Sequence, residues 1–132
     1  MLHEFVSPLS NIRTDDYGGS LENRLRFPLR IIERCRAAWS MPLFVRISAA
    51  DWADGPEKVG DEWTQWGIEQ STIFVKQMYE MGIDLVDCSS GGNWARQRIP
   101  VGPGYQVRRV LIFNPAVYLY IIGTLRCTSP RL

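Results

Sequence analysis

The residue with the clearest chemical potential in this sequence is Arg46. It lies in Leu43-Phe44-Val45-Arg46-Ile47-Ser48, a short apolar run that follows Met41-Pro42. The length and β-branched content of the run predict a strand buried on both faces, as in a parallel sheet. Side chains alternate along a strand, so Phe44, Arg46 and Ser48 share one face. A guanidinium buried there needs an anion or several acceptors, because burying it unpaired is prohibitive. Arg46 also falls near the C-terminal end of its strand, where α/β folds bind ligands. Spacing alone leaves two roles open: contact with a bound anion, or a structural ion pair with Asp87 or Asp51.

Other residues with chemical potential are less specific. Ser89-Ser90-Gly91-Gly92 follows a second strand-like run, and its backbone could approach a phosphate. It is neither G-x-G-x-x-G nor a Walker sequence, so a plain tight turn is the simpler expectation. His3 is the single histidine of the chain. With no acidic or cysteine cluster at ligand spacing beside it, an exposed side chain is expected rather than a catalytic base. Trp52, Trp63 and Trp66 could line a pocket or anchor a long loop. Cys35, Cys88 and Cys127 form no C-x-x-C and no metal spacing, which predicts reduced thiols and no metal site.

The elements that must position these residues follow from periodicity. Residues 1–20 read as an irregular polar connection, with turn formers at nearly every step. Ser20 is a plausible N-cap, and Leu21, Leu25, Leu29, Ile32 and Cys35 or Trp39 then repeat at helical spacing for roughly 18 residues. Arg24, Arg26, Arg30, Arg34 and Arg36 fall mostly off that stripe and read as a solvated face. Pro28 is too deep for a first-turn proline and would remove a backbone bond and kink the helix, at a cost on the order of 3 kcal/mol. After the strand at 43–48, residues 49–66 read as a polar loop. A second helix is expected from about Ile68 to Met81, with Gly82 as its C-terminal cap. Residues 83–88 form a second strand. The connection 49–82 is long enough for a parallel crossover, so the order helix, strand, helix, strand predicts an α/β fold, doubly wound or barrel. Two strands cannot close a barrel or cover their own edges, which marks residues 1–106 as a piece of a larger domain. Alone, that piece is not expected to fold cooperatively.

Composition agrees with a globular chain. Of 132 residues, 22% are charged and 45% hydrophobic, too apolar for disorder. The net charge of +1 excludes the strongly basic balance of a nucleic-acid binder. The N-terminus carries no basic region followed by an apolar core, so no secretory signal is expected and a cytoplasmic location follows. The segment 107–132 is apolar and nearly uncharged over Val110 to Leu125. Asn114-Pro115 interrupts it, so no membrane span is expected.

The first hundred residues resemble a known family. Leu2-His3-Glu4-Phe5-Val6-Ser7-Pro8-Leu9-Ser10-Asn11, then Arg13-Thr14-Asp15 and Tyr17-Gly18-Gly19-Ser20-Leu21-Glu22-Asn23-Arg24, are similar to the segment after the fourth strand of the Old Yellow Enzyme family of FMN-dependent NAD(P)H oxidoreductases. Leu43 to Ser48 resembles the family's fifth strand, Asp84 to Gly92 its sixth strand and following loop, and Pro100-Val101-Gly102-Pro103-Gly104-Tyr105-Gln106 continues the match. The resemblance implies a (β/α)8 TIM barrel, here partial, with FMN at its C-terminal mouth. It implies NAD(P)H as reductant and an activated alkene as small-molecule substrate. It also assigns Arg46 to the pyrimidine edge of the flavin, where a fixed cation would stabilise the charge of reduced flavin.

The departures limit that transfer. The family's substrate-binding His/His or His/Asn pair and tyrosine proton donor precede Met1 in the match, and its phosphate-holding strands follow Gln106, so no catalytic residue is assigned. His3 is not a member of that pair. Pro28 stands where the family usually has an apolar helix former. Residues 107–132 diverge; Val107-Arg108 can be encoded by an intron donor, so translated intron or a shifted frame is the expectation, with a genuine C-terminal anchor as the rival reading. The isolated chain is therefore expected to be inactive. The alternative is a non-catalytic α/β fragment acting as an interaction partner or decoy without flavin.

Overall fold

The computed structural model describes residues 2–92, 94–103 and 105. The segment 107–132 lies outside the described residues. The elements are α1 (His3–Val6), α2 (Leu21–Ala38), β1 (Phe44–Ser48), β2 (Lys58–Val59), β3 (Glu62–Trp63), α3 (Ile68–Glu80) and β4 (Leu85–Ser89). β1 and β4 pair in parallel, Arg46 opposite Asp87 and Ser48 opposite Ser89. β2 and β3 form a small antiparallel hairpin.

Local chemistry sets the helix ends. The Ser20 hydroxyl accepts the Asn23 N–H at 3.3 Å and opens α2, as its position predicts. α2 runs through Pro28, which is buried and cannot donate to the Arg24 carbonyl one turn back. α3 ends in a Schellman motif: Gly82 N–H reaches Tyr79 O and Ile83 N–H reaches Met78 O. Gly82 has φ 82°, a left-handed conformation that glycine adopts without penalty. Arg36 joins this turn to the end of α2, donating to Gly82 O, Met41 O, Trp39 O and the Asp84 carboxylate. The Leu43 N–H and then Arg36 hold the Asp84 carboxyl below its ordinary range.

The two helices cover one face of the β1–β4 sheet. Leu25 and Ile32 of α2, and Phe74, Val75 and Met78 of α3, form a core with Ile47, Val86 and Cys88. The α2 stripe stops there: Cys35 is exposed and Trp39 is about half exposed. The expectation of a strand buried on both faces does not hold. Val45 and Ile47 meet the helices, but Phe44 is 61% exposed and the Arg46 side chain 66%. On the opposite face Phe44 and Arg46 have no covering layer among the described residues, while Ser48 at the strand end is buried beneath the loops that follow. Two other readings also need correction. The stretch 1–20 contains the short helix α1, and the loop 49–66 contains the β2–β3 hairpin; both are too short to carry a periodic signal.

Arg24 is the largest departure from a solvated arginine face. It is fully buried and donates to Val6 O, to Gly19 O at 3.0 Å and to Gln70 Oε1 at 2.8 Å. Burial pushes its pKa down to about 10, with the Asp51 charge opposing, so it remains charged at neutral pH. Three of its N–H donors satisfy acceptors on three separate segments, which no apolar side chain could do. Arg24→Met should destabilise the protein by about 3 kcal/mol, since the buried acceptors Val6 O and Gln70 Oε1 lose their donor. A urea midpoint unchanged from wild type would show that those acceptors find other partners.

Candidate functional site

The C-terminal ends of β1 and β4 lie side by side, and the loops that leave them are bonded together. Gly91 N–H reaches Ala50 O at 3.0 Å, the Ser48 hydroxyl reaches Gly91 O at 3.2 Å, and Arg98 N–H reaches Trp52 O at 2.8 Å. In the Ser89-Ser90-Gly91-Gly92 segment the amides of both glycines are already engaged by groups outside it. Gly92 N–H donates to Gln97 Oε1 at 2.6 Å. Gly91 has φ 71°, a left-handed conformation that disfavours other residues, and a Cβ there would also push aside the ends of the Gln97 and Ile99 side chains, each 2.6 Å away.

Arg46 stands on the open face of β1, and its Nε lies 3.2 Å from Asp87 Oδ2 on β4. It has no other partner among the described residues. Of the two acidic partners that spacing allowed, Asp87 is the one found. The other oxygen of Asp87, Oδ1, is buried and accepts no hydrogen bond among the described residues. The pair thus joins a water-exposed cation to a carboxylate whose solvation is incomplete.

Asp51 has a different task. It is fully buried just beyond the end of β1. His3 Nε2 lies 3.0 Å from Oδ1, the Ser7 hydroxyl donates to Oδ2 at 2.5 Å and the Trp66 N–H donates to Oδ2 at 3.0 Å. The expected exposed His3 is therefore corrected: it is largely buried, edge-on to Trp66 at 6.0 Å. Ser7, His3 and Asp51 do not form a nucleophile relay, because serine and histidine both bond to the carboxylate. Sequence reasoning offered Asp51 only as a partner for Arg46 and missed Ser7. A signal was present in an aspartate placed immediately after an apolar strand.

The three loop tryptophans separate. Trp66 is a buried anchor whose Nε1 donates to Ser48 O at 2.8 Å. Trp63 sits on the hairpin under the Lys58 ammonium. Trp52 packs near Tyr105, ring centroids 6.3 Å apart, and has φ 60°. That backbone conformation costs a non-glycine residue about 1–3 kcal/mol. Among the described residues no group of three or more His, Cys, Asp or Glu side chains could hold a metal ion. None of their helices is long and apolar enough to cross a membrane.

Similarity to known proteins converges on one family. The model of the NADH:flavin oxidoreductase / NADH oxidase family matches residues 1–102. The NADPH dehydrogenase of Bacillus subtilis is 49% identical over 107 residues, covering 81% of this chain and 29% of that protein. A NADH:flavin oxidoreductase of Gibberella zeae is 44% identical over 112 residues, covering 81% and 27%. Among solved structures, a 2-naphthoyl-CoA reductase complex superposes with a TM-score of 0.72 at 24% identity, over 92% of this chain and 18% of that one. Histamine dehydrogenase from Rhizobium gives a TM-score of 0.52 at 28% identity, over 69% and 12%. The chain belongs to the NADH:flavin oxidoreductase / NADH oxidase family, a family of FMN-dependent, NAD(P)H-linked oxidoreductases that includes Old Yellow Enzyme. Its fold is a partial (β/α)8 barrel, not closed among the described residues. It spans under a third of the length of the curated relatives it matches.

Cys88 shows how closed the helix-covered side of the sheet is. Burial, and then the neighbouring Asp87 charge, push its thiol up to about 12. In the unfolded chain the thiol titrates near its ordinary 9. Its neutral form therefore stabilises the fold fully below pH 9, and that contribution is lost as pH rises from 9 through 12. At pH 8, iodoacetamide should label exposed Cys35 readily and Cys88 only when the protein unfolds. Equal native labelling of both, read by peptide mass spectrometry, would contradict this burial.

Proposed function

We propose that the protein is an FMN-dependent NAD(P)H oxidoreductase acting on an activated alkene, with Arg46 at the pyrimidine edge of the flavin. The observation that supports this most is the placement of Arg46. It is a half-strand cation on the uncovered face of β1, next to the bonded loops at the strand ends, in a chain of the flavin oxidoreductase family. The residues present fit a flavin. The guanidinium is accessible, it is oriented through Nε by Asp87, and the uncovered face leaves space beside it. FMN, when bound, would supply the hydride-transfer chemistry between NAD(P)H and the alkene. Arg46 contributes a fixed positive charge where negative charge develops on reduction, with little reorganisation. We assign residues 1–106 to the barrel and 107–132 to a separate tail, in a protein of the cytoplasm.

In the FMN-loaded full-length protein, Arg46→Ala should slow reduction by NADPH by about 2–4 kcal/mol in barrier while leaving FMN bound. Arg46→Lys should rescue only part of the loss, since the planar fork is gone. Stopped-flow reduction of Arg46→Ala at wild-type speed would overturn the assignment.

A polypeptide of residues 1–132 by itself should bind FMN poorly, because its described residues offer one cation to the flavin and no assigned phosphate site. FMN fluorescence should not saturate at micromolar polypeptide. A stoichiometric yellow complex would show that these residues suffice.

A further inference from the structure

We infer that Asp87 is a positioning residue for Arg46 and that the pair, rather than the arginine alone, sets how strongly reduced flavin is favoured. This rests on the placement of FMN proposed above. Arg46 and Asp87 are register partners on adjacent parallel strands, on the face turned away from the helices. Parallel pairing fixes both Cα positions, so the 3.2 Å contact between Nε and Oδ2 belongs to the sheet and not to a chance surface encounter.

The two ends of the pair differ in environment. The Arg46 side chain is 66% exposed and that of Asp87 25%, so Asp87 is the fixed, more buried member. Its Oδ1 is buried without a hydrogen bond among the described residues. The carboxylate is therefore poorly screened by its own surroundings, and Arg46 is its single charged partner among the described residues. Its charge also reaches the adjacent Cys88 thiol, where it adds to the effect of burial. Asp51, the other acidic candidate, is occupied by His3, Ser7 and Trp66 and does not compete for Arg46.

Two consequences follow for a flavin beside the guanidinium. Holding Nε turns the rest of the planar group outward in a fixed orientation. The negative charge one residue pair away offsets part of the positive field that would otherwise favour the reduced, negatively charged flavin. Removing that charge while keeping the shape should favour reduction.

The test is the two-electron midpoint potential of the FMN-loaded full-length protein, by equilibration with a reference dye, together with the dissociation constant of oxidised FMN. Asp87→Asn keeps an oxygen to accept from Nε and removes the charge. It should bind oxidised FMN within about threefold of wild type, and its preference for reduced over oxidised FMN should rise about tenfold, equivalent to about 30 mV. Asp87→Ser serves if the asparagine variant does not fold, with the same direction expected. Arg46→Gln should shift the preference the opposite way. A folded, flavin-loaded Asp87→Asn or Asp87→Ser protein with an unchanged or lower potential overturns the inference. A protein that binds no FMN, or an Arg46→Gln variant with an unmoved potential, overturns the flavin placement instead.

Discussion

The carboxylate of Asp51 holds the site end of this structure together. It has no solvent contact, so its charge must be satisfied by protein donors. His3 and Ser7 come from the segment at and after α1, and the Trp66 amide from the approach to α3. These meet at one residue just past the end of β1. The Trp66 ring then bonds back to Ser48 O, so the last residue of the strand is fixed as well. Arg46, two residues earlier, inherits that rigidity through the backbone of a five-residue strand.

Arg24 is the counterpart across the core. It links Val6, Gly19 and Gln70, and it feels the charge of Asp51. A buried arginine and a buried aspartate thus hold the N-terminal segment against both helices, with no direct ion pair between them. Such an arrangement specifies geometry more than it adds stability, because desolvation consumes much of the attraction. Geometry is what a flavin site requires of its surroundings. The unusual feature is the asymmetry of the sheet. One face is closed by α2 and α3, and the other presents Phe44 and Arg46 to solvent.

The regular elements were legible because their signals are local. The Ser20 cap, the leucine stripe of α2, the glycine stop after Met81 and the β-branched run at 43–48 each depend on neighbours within one or two turns. Parallel pairing followed from the length of the crossover. The buried polar residues were not legible. His3 is 48 residues from Asp51 in sequence, and Arg24 is 46 from Gln70. No periodicity connects such partners, so His3 and Arg24 read as surface residues. The exposure of Arg46 was missed for a related reason. Burial of a strand's second face depends on what covers it, and that is not a property of the strand. The resemblance to the family is what proposes a flavin edge for Arg46, whereas spacing alone left its role open between an anion and an ion pair.

In the proposed site Arg46, held by Asp87 on the open face of β1, is the residue that meets the flavin. A crystal structure of the full-length protein with FMN bound tests this most directly. It should place the Arg46 guanidinium about 3 Å from the oxygen or nitrogen atoms of the flavin pyrimidine ring, with Nε still on Asp87. A flavin bound elsewhere, or an Arg46 turned away from it and paired with Asp87 alone, would rule out this placement.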